Sequence, residues 1–452
     1  MTQDQQFIIR GGRILSGTVR VGGAKNAALK VIAASLLSKE PWRIERLPLV
    51  EDVLRVVELV RSLGVAVSGP QVDGTVILHA EGEVVSDLDT EIAKRIRASI
   101  VLTGPILARQ GRVSFPHPGG CVIGERPIDV FLKGYRAMGA EVAEENDRYV
   151  VTALGGLRGA DIFFPVVSVT GTETLMMAAT LAKGTTVLRN AAMEPEVASL
   201  ADFLNACGAR ISGHGTPTIR IEGVDALGGG TYRTMPDRIE TGSFALMAAA
   251  TRSKIAIEAC EPSHLDALWD LLQYAGVLVE KREQSVLIDA TGSAPLAPKN
   301  ITTHEYPGFA TDLQAPAVVF LTQCSGAARV HETIFEGRLQ WTGDLVRMGA
   351  SIEMADPHRV FVHGPASLRG RSIKSPDIRA GMAFVIAALV AEGETTIHNI
   401  YQIDRGYEKL EERLRRIGAD IRRVTGNQEP VISTSSVADD ASYALSGRTG
   451  KF

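Results

Sequence analysis

The chain has 452 residues, with 48 basic against 52 acidic side chains, a net charge of −4 and 5% aromatic residues. That balance excludes a global positive field for nucleic acid or an anionic membrane surface, so any anion site must be local, and it supplies too few rings for a single-strand stacking platform. Apolar residues at 45% and charged residues at 22% exclude disorder throughout, collagen and a coiled coil, and the length fits two or three domains.

The N-terminal stretch is polar and lacks the apolar segment of a secretory leader. The longest apolar runs reach about ten residues, too short to cross a bilayer. Cys121, Cys207, Cys260 and Cys324 are scattered, with no CxxC pair. That usage suits a reducing cytoplasm better than a disulfide framework or a zinc site. The expectation is a cytoplasmic protein with no membrane insertion and no nucleic-acid partner.

Residues 6–23, QFIIRGGRILSGTVRVGG, read as two strands. A pattern then recurs along the chain. A short helix of small and apolar residues, a turn and a strand appear as residues 27–45, 98–115, 172–189, 243–259, 315–332 and 382–399. In phase with it runs an amphipathic helix that ends in glycine and leads into a strand, as in VVELVRSLGVAV, FLKGYRAMGAEV and LEERLRRIGADI. The closing glycines are Gly64, Gly139, Gly208, Gly276, Gly349 and Gly418, at spacings of 68 to 75 residues. Each stands where a helix C-terminus favours a left-handed residue. The unit is therefore repeated six times. Its first helix is apolar nearly all round and should be buried on every side; the glycine-closed helix is charged on one face and should lie outside. Such repeats could stack as a solenoid, but helices buried on every side favour closed packing with the sheets outside: an α/β protein of two inside-out lobes, each of three repeats packed around central buried helices. The break falls near the glycine run at 226–231. Residues 426–452, rich in Ser, Asp and Gly, read as a disordered tail.

The residues at the start of each buried helix are polar: Lys25 and Asn26, Arg97, Ser168 to Thr172, Asp237 to Thr241, Thr311 and Asp312, and Asp377 to Arg379. Helix N-termini carry unpaired N–H groups and partial positive charge, so six of them on one surface make an anion site. The hydroxyls of Ser168, Thr170 and Thr172 read as ordinary caps. Lys25, Arg97 and Arg379 are not, because a cation opposes the dipole there; a bound anion would offset that repulsion. Cys121 lies in the glycine-rich loop PGGCVIGERP with Arg126 nearby, a setting for an exposed, reactive thiol. The other three cysteines fall in apolar patterns and read as inert core residues. There is no His-Glu-x-x-His, no P-loop and no GxGxxG after a strand.

These segments carry a resemblance. GGAKNAAL, PGGCVIGERP, PDRIETG, FATDLQ, FEGR and IDRGYE, in this order across about residues 7–424, resemble the UDP-N-acetylglucosamine 1-carboxyvinyltransferases, a family of enolpyruvyl transferases. The resemblance implies transfer of the enolpyruvyl group of phosphoenolpyruvate to the 3′-hydroxyl of UDP-N-acetylglucosamine, with release of phosphate and no metal or organic cofactor. A paralogue would use a different nucleotide or phosphorylated acceptor. It also implies that the chain crosses between lobes twice, giving a first lobe of 25–230 and a second of 1–24 with 231–425.

Carried over by motif, Lys25 would contact phosphoenolpyruvate and Asn26 the nucleotide sugar. Cys121 would be the general acid, and Arg126 and Arg405 would bind phosphate. Arg338 and Arg379 would hold the carboxylate. Asp312 would contact the attacking hydroxyl as base. Arg97 would support the anion pocket and Asp377 the chemistry near Cys121. Val167, Ser168 and Val169 would receive the uridine diphosphate. Two departures from the family's pattern stand out: Pro116-His117-Pro118 lengthens the loop before Cys121, and Val166 and Thr170 replace a frequent lysine and glycine.

Overall fold

The computed structural model describes residues 5–117, 119, 128–292 and 294–425. Cys121, Arg126 and the tail expected to be disordered lie outside the described residues. Among the described residues two series of helices alternate, apart from the four-residue helices Thr90–Ala93 and Tyr401–Asp404: α1 (Lys25–Ala34), α2 (Glu51–Ser62), α3 (Thr103–Gln110), α4 (Asp129–Ala137), α5 (Val169–Thr180), α6 (Pro195–Ala206), α7 (Arg238–Ala250), α8 (Asp266–Tyr274), α9 (Gln314–Leu321), α10 (Thr342–Arg347), α11 (Ile378–Val390) and α12 (Leu410–Arg416). The odd-numbered helices are the small-residue segments and the even-numbered ones end in the recurring glycines. Burial follows composition. In α7 every residue from Ile239 to Ala250 is buried, and in α11 every residue from Arg379 to Leu389. The outer α2 buries only the stripe Asp52, Val53, Val56, Val57, Leu59 and Val60. No helix among the described residues is long and apolar enough to cross a membrane.

Among the described residues six small sheets wrap these helices. The start of the chain joins two of them. Gln5–Arg10 runs antiparallel to both Glu394–His398 and Asp420–Thr425, and Ser16–Arg20 runs parallel to Lys254–Glu258. The apolar side chains then divide into two cores. One takes Phe7 to Val21 together with Ile239 to Ile421, around α7, α9 and α11; the other takes Ala28 to Tyr232, around α1, α3 and α5. Gly230–Arg233 pairs in parallel with Trp42–Glu45, and Tyr232 sits in the second of these cores. The chain therefore leaves that core a few residues after the glycine run.

Two inner helices start differently from their siblings. Arg97–Leu102 and Thr311–Leu313 form tight 3₁₀ turns before α3 and α9. Each of these helices carries a proline at its third position, Pro105 and Pro316. A proline lacks the N–H that would bond back into the preceding turn, so the regular α-helical ladder begins only there.

The six closing glycines all have left-handed backbones, with φ between 88° and 108°. Gly276 has open space where a Cβ would project, whereas at Gly349 a Cβ would lie 2.8 Å from the Ser367 carbonyl oxygen. Gly276→Ala therefore meets backbone strain alone, about 1–2 kcal/mol, and Gly349→Ala meets strain and a clash. Urea unfolding should rank Gly349→Ala as the more destabilised variant; equal losses would contradict this reading of the two turns.

Candidate active site

A cleft of about 720 Å³ is lined by residues of both cores. All six inner helices begin at it. Lys25 and Asn26 open α1, Arg97 opens the turn before α3, Ser168 caps α5, Arg238 opens α7, Thr311 and Asp312 precede α9, and Asp377 caps α11; all line the cleft. Val167 and Val169 flank Ser168, and Arg338, Arg379 and Arg405 complete the cationic wall. The structure thus brings together every described residue that the sequence singled out as a site residue.

Caps and cations separate as their chemistry dictates. Ser168 Oγ accepts from the Gly171 N–H at 3.1 Å. Asp377 Oδ1 accepts from the N–H groups of Arg379 and Ala380 at 2.7 and 3.0 Å. Thr172, which reads as a cap in the sequence, instead accepts from the Ala192 N–H at 3.0 Å and ties α5 to the following loop. The cations have a different answer to helix-dipole repulsion: carboxylates. Asp312 takes Arg338 Nη2 on Oδ1 at 2.6 Å and Arg379 Nη2 on Oδ2 at 2.7 Å. Asp52 takes Arg405 Nε on Oδ1 at 2.8 Å and Lys25 Nζ on Oδ2 at 3.2 Å. Arg338 also donates to Thr311 Oγ1 at 2.9 Å, and Arg405 to Gln402 Oε1 at 2.8 Å.

The electrostatics follow from this arrangement. Burial alone would raise the Asp312 carboxyl, but Arg379 and Arg338 hold it far below the usual carboxylate range. Burial likewise opposes ionisation of Asp52, and Lys25 and Arg405 outweigh it. Burial pushes the Lys25 ammonium down and Arg379 adds to that; Asp52 is the main opposing influence. Asp312, expected as a base, has both oxygens held by guanidinium groups, so its basicity is suppressed until one arginine is drawn away. Cys207, Cys260 and Cys324 are buried, and burial raises their thiols to about 11, 11 and 12, as their apolar settings foretold.

Several functional-looking residues escape the sequence reading. Asp52 reads as an ordinary acidic residue in the first turn of an outer helix, where the dipole alone explains it. Glu194 and Glu196, at the start of α6, read the same way. In the structure Glu196 receives Arg238 Nε at 3.0 and 3.2 Å, and Glu194 Oε1 accepts from the Tyr306 N–H at 3.4 Å. These contacts link the two cores at the cleft. Val166, which departs from the family's pattern, lines the cleft with 72% of its surface exposed.

The sequence profile of EPSP synthase (3-phosphoshikimate 1-carboxyvinyltransferase) matches residues 9–414. The chain is 44% identical over 416 residues to the UDP-N-acetylglucosamine 1-carboxyvinyltransferase of Desulforapulum autotrophicum, covering 92% of this chain and 99% of the relative. It is 45% identical over 421 residues to the protein of the same name from Solibacter usitatus, covering 93% and 99%. In structure it is similar to the enolpyruvyl transferase NikO of Streptomyces tendae, with a TM-score of 0.85, 24% identity and coverage of 94% and 100%. The EPSP synthase of Acinetobacter baumannii gives a TM-score of 0.70, 21% identity and coverage of 93% and 100%. At those identities the structural likenesses speak for the fold.

The depressed Asp312 carboxyl has a measurable consequence. A carboxyl whose native pKa lies below its unfolded value contributes stability that is complete above about pH 4 and is lost as the pH falls towards the native value. Asp312→Asn should lower unfolding free energy at pH 7 by about 2 kcal/mol. The gap from wild type should narrow on acidification below pH 4. A gap of the same size at pH 7 and pH 3 in denaturant titrations would contradict the pairing.

Proposed function

The chain belongs to the EPSP synthase family of 1-carboxyvinyltransferases, and on that premise we propose that it transfers the enolpyruvyl group of phosphoenolpyruvate to the 3′-hydroxyl of UDP-N-acetylglucosamine and releases phosphate. Identity of 44–45% along nearly the whole length of relatives with that name supports this acceptor. The observation that carries the reading is the gathering of Lys25, Arg338, Arg379 and Arg405 at one cleft. Phosphoenolpyruvate bears a phosphate and a carboxylate on three carbons, and binding it requires several cations in a small volume.

In this reading Lys25 and Arg405, with Arg126, take the phosphate, and Arg338 and Arg379 take the carboxylate while Arg97 supports the pocket. The uridine diphosphate lies along Val167, Ser168 and Val169, where the N-terminus of α5 offers N–H groups. Asn26 positions the sugar. The sugar hydroxyl adds to C2 of the enol as Cys121 protonates C3, and Asp312 receives the hydroxyl proton. The donor's carboxylate competes for Arg338 and Arg379, which loosens their grip on Asp312 and restores its basicity. Asp377 supports this chemistry from the start of α11. In the second half a C3 proton returns to the Cys121 thiolate, its C–H electron pair forms the vinyl bond as the C2–O bond to phosphate breaks, and phosphate leaves with the proton that Asp312 held. The same reading makes this the first committed step of peptidoglycan precursor synthesis, a cytoplasmic reaction serving cell wall biogenesis, cell shape and division.

Phosphate release from phosphoenolpyruvate should require UDP-N-acetylglucosamine and should fall by about a hundredfold or more in Cys121→Ser, the scale of a lost general acid. Release with another nucleotide or phosphorylated acceptor, and none with this one, would overturn the assignment. Fosfomycin should add once to the intact protein and not to Cys121→Ser; an unchanged wild-type mass would contradict a poised thiol.

A further inference from the structure

Asp52 belongs to no motif that carries the family resemblance, yet it is the point at which two cleft cations meet. It lies in the first turn of α2, in the core that surrounds α1, α3 and α5, and is 7% exposed. Its two oxygens are divided between Lys25, at the start of α1, and Arg405, which lies 353 residues away in the chain and follows the short Tyr401–Asp404 helix of the other core. Lys25 and Arg405 are themselves 7% and 9% exposed. We propose that Asp52 is a positioning residue for the donor's phosphate: it sets the distance between Lys25 and Arg405 across the boundary of the two cores. This rests on the reading of the cleft as a phosphoenolpyruvate site.

The geometry gives the reason. A lysine and an arginine held at one small anion repel each other, and their side chains are long enough to part. A buried carboxylate between them makes that arrangement the resting one, so the phosphate enters a pair already aligned. The charge matters as well as the position. Lys25 is faced by Asp52 on α2, Arg379 on α11, Asp312 before α9 and Arg405, and its backbone N–H donates to Asp237 Oδ2 at 3.2 Å. Tyr401 faces Asp52 from the short helix. Among these, burial and Arg379 drive the ammonium towards neutrality, and Asp52 is the largest force against them. Removing its charge should move deprotonation of Lys25 to lower pH.

Steady-state kinetics on the full-length chain separate this from a merely structural role. Asp52→Asn should raise the KM for phosphoenolpyruvate at least about tenfold while leaving the KM for UDP-N-acetylglucosamine within about twofold. The basic limb of kcat/KM for phosphoenolpyruvate should shift to lower pH by about one unit. Asp52→Glu keeps the charge but moves it by one methylene. It should leave that limb near wild type while still weakening phosphoenolpyruvate, and it supplies the test if the Asn variant does not fold. A wild-type KM for phosphoenolpyruvate with an unmoved limb would overturn the proposal, as would equal losses for both substrates tracking a lower Tm. If wild type turns over no acceptor, the functional reading has failed on its own account. Asp52 is then judged by calorimetric titration of phosphoenolpyruvate into wild type and Asp52→Asn, where equal affinity would overturn the proposal and at least about tenfold weaker binding would uphold it.

Discussion

Lys25, Arg338, Arg379 and Arg405 would repel one another across the cleft unless negative charge sat among them, and Asp52 and Asp312 supply it. Each carboxylate is shared by two cations, so the cleft is held together by charge pairs that a substrate anion can enter by competing for a partner. This suits a trianionic donor better than an array of unopposed cations would. The resting pairs limit repulsion and fix geometry, and the donor's own charges take over some of the contacts on binding.

The fold exists to make this convergence possible. Each repeat contributes one helix of small, apolar residues that can be buried all round, and the sheets shield it from solvent. Because the inner helices start at the cleft, the backbone brings six N-termini and their polar flanks to one place from segments hundreds of residues apart. The cleft between the cores is spanned by Asp52 with Arg405, Glu196 with Arg238, and Glu194 with the Tyr306 backbone. Substrate chemistry and the relative placement of the two cores are therefore coupled through the same ion pairs.

Much of this is legible in the sequence, for physical reasons. Gly64 and its five counterparts punctuate the repeat because only glycine adopts that left-handed turn without strain. The all-apolar inner helices announce burial, and Lys25 and Arg379 mark the site because cations at helix N-termini need an explanation. Asp52 and Glu196 were not legible, because an acid in the first turn of a helix is already accounted for by the dipole and nothing local reveals a partner hundreds of residues away. The 3₁₀ starts before α3 and α9 follow from Pro105 and Pro316, a local signal that the apolar periodicity obscured. The pairing of Gly230–Arg233 with Trp42–Glu45 depends on tertiary packing, to which the glycine run beside it gives no clue.

In this cleft dispersed cations bind one small anion together. The decisive quantity is the KM for phosphoenolpyruvate in variants that lack Lys25, Arg379 or Arg405 one at a time. Each loss should raise this constant at least about tenfold, the scale of one charge-assisted contact. Values within about twofold of wild type for all three, with turnover intact, would contradict it.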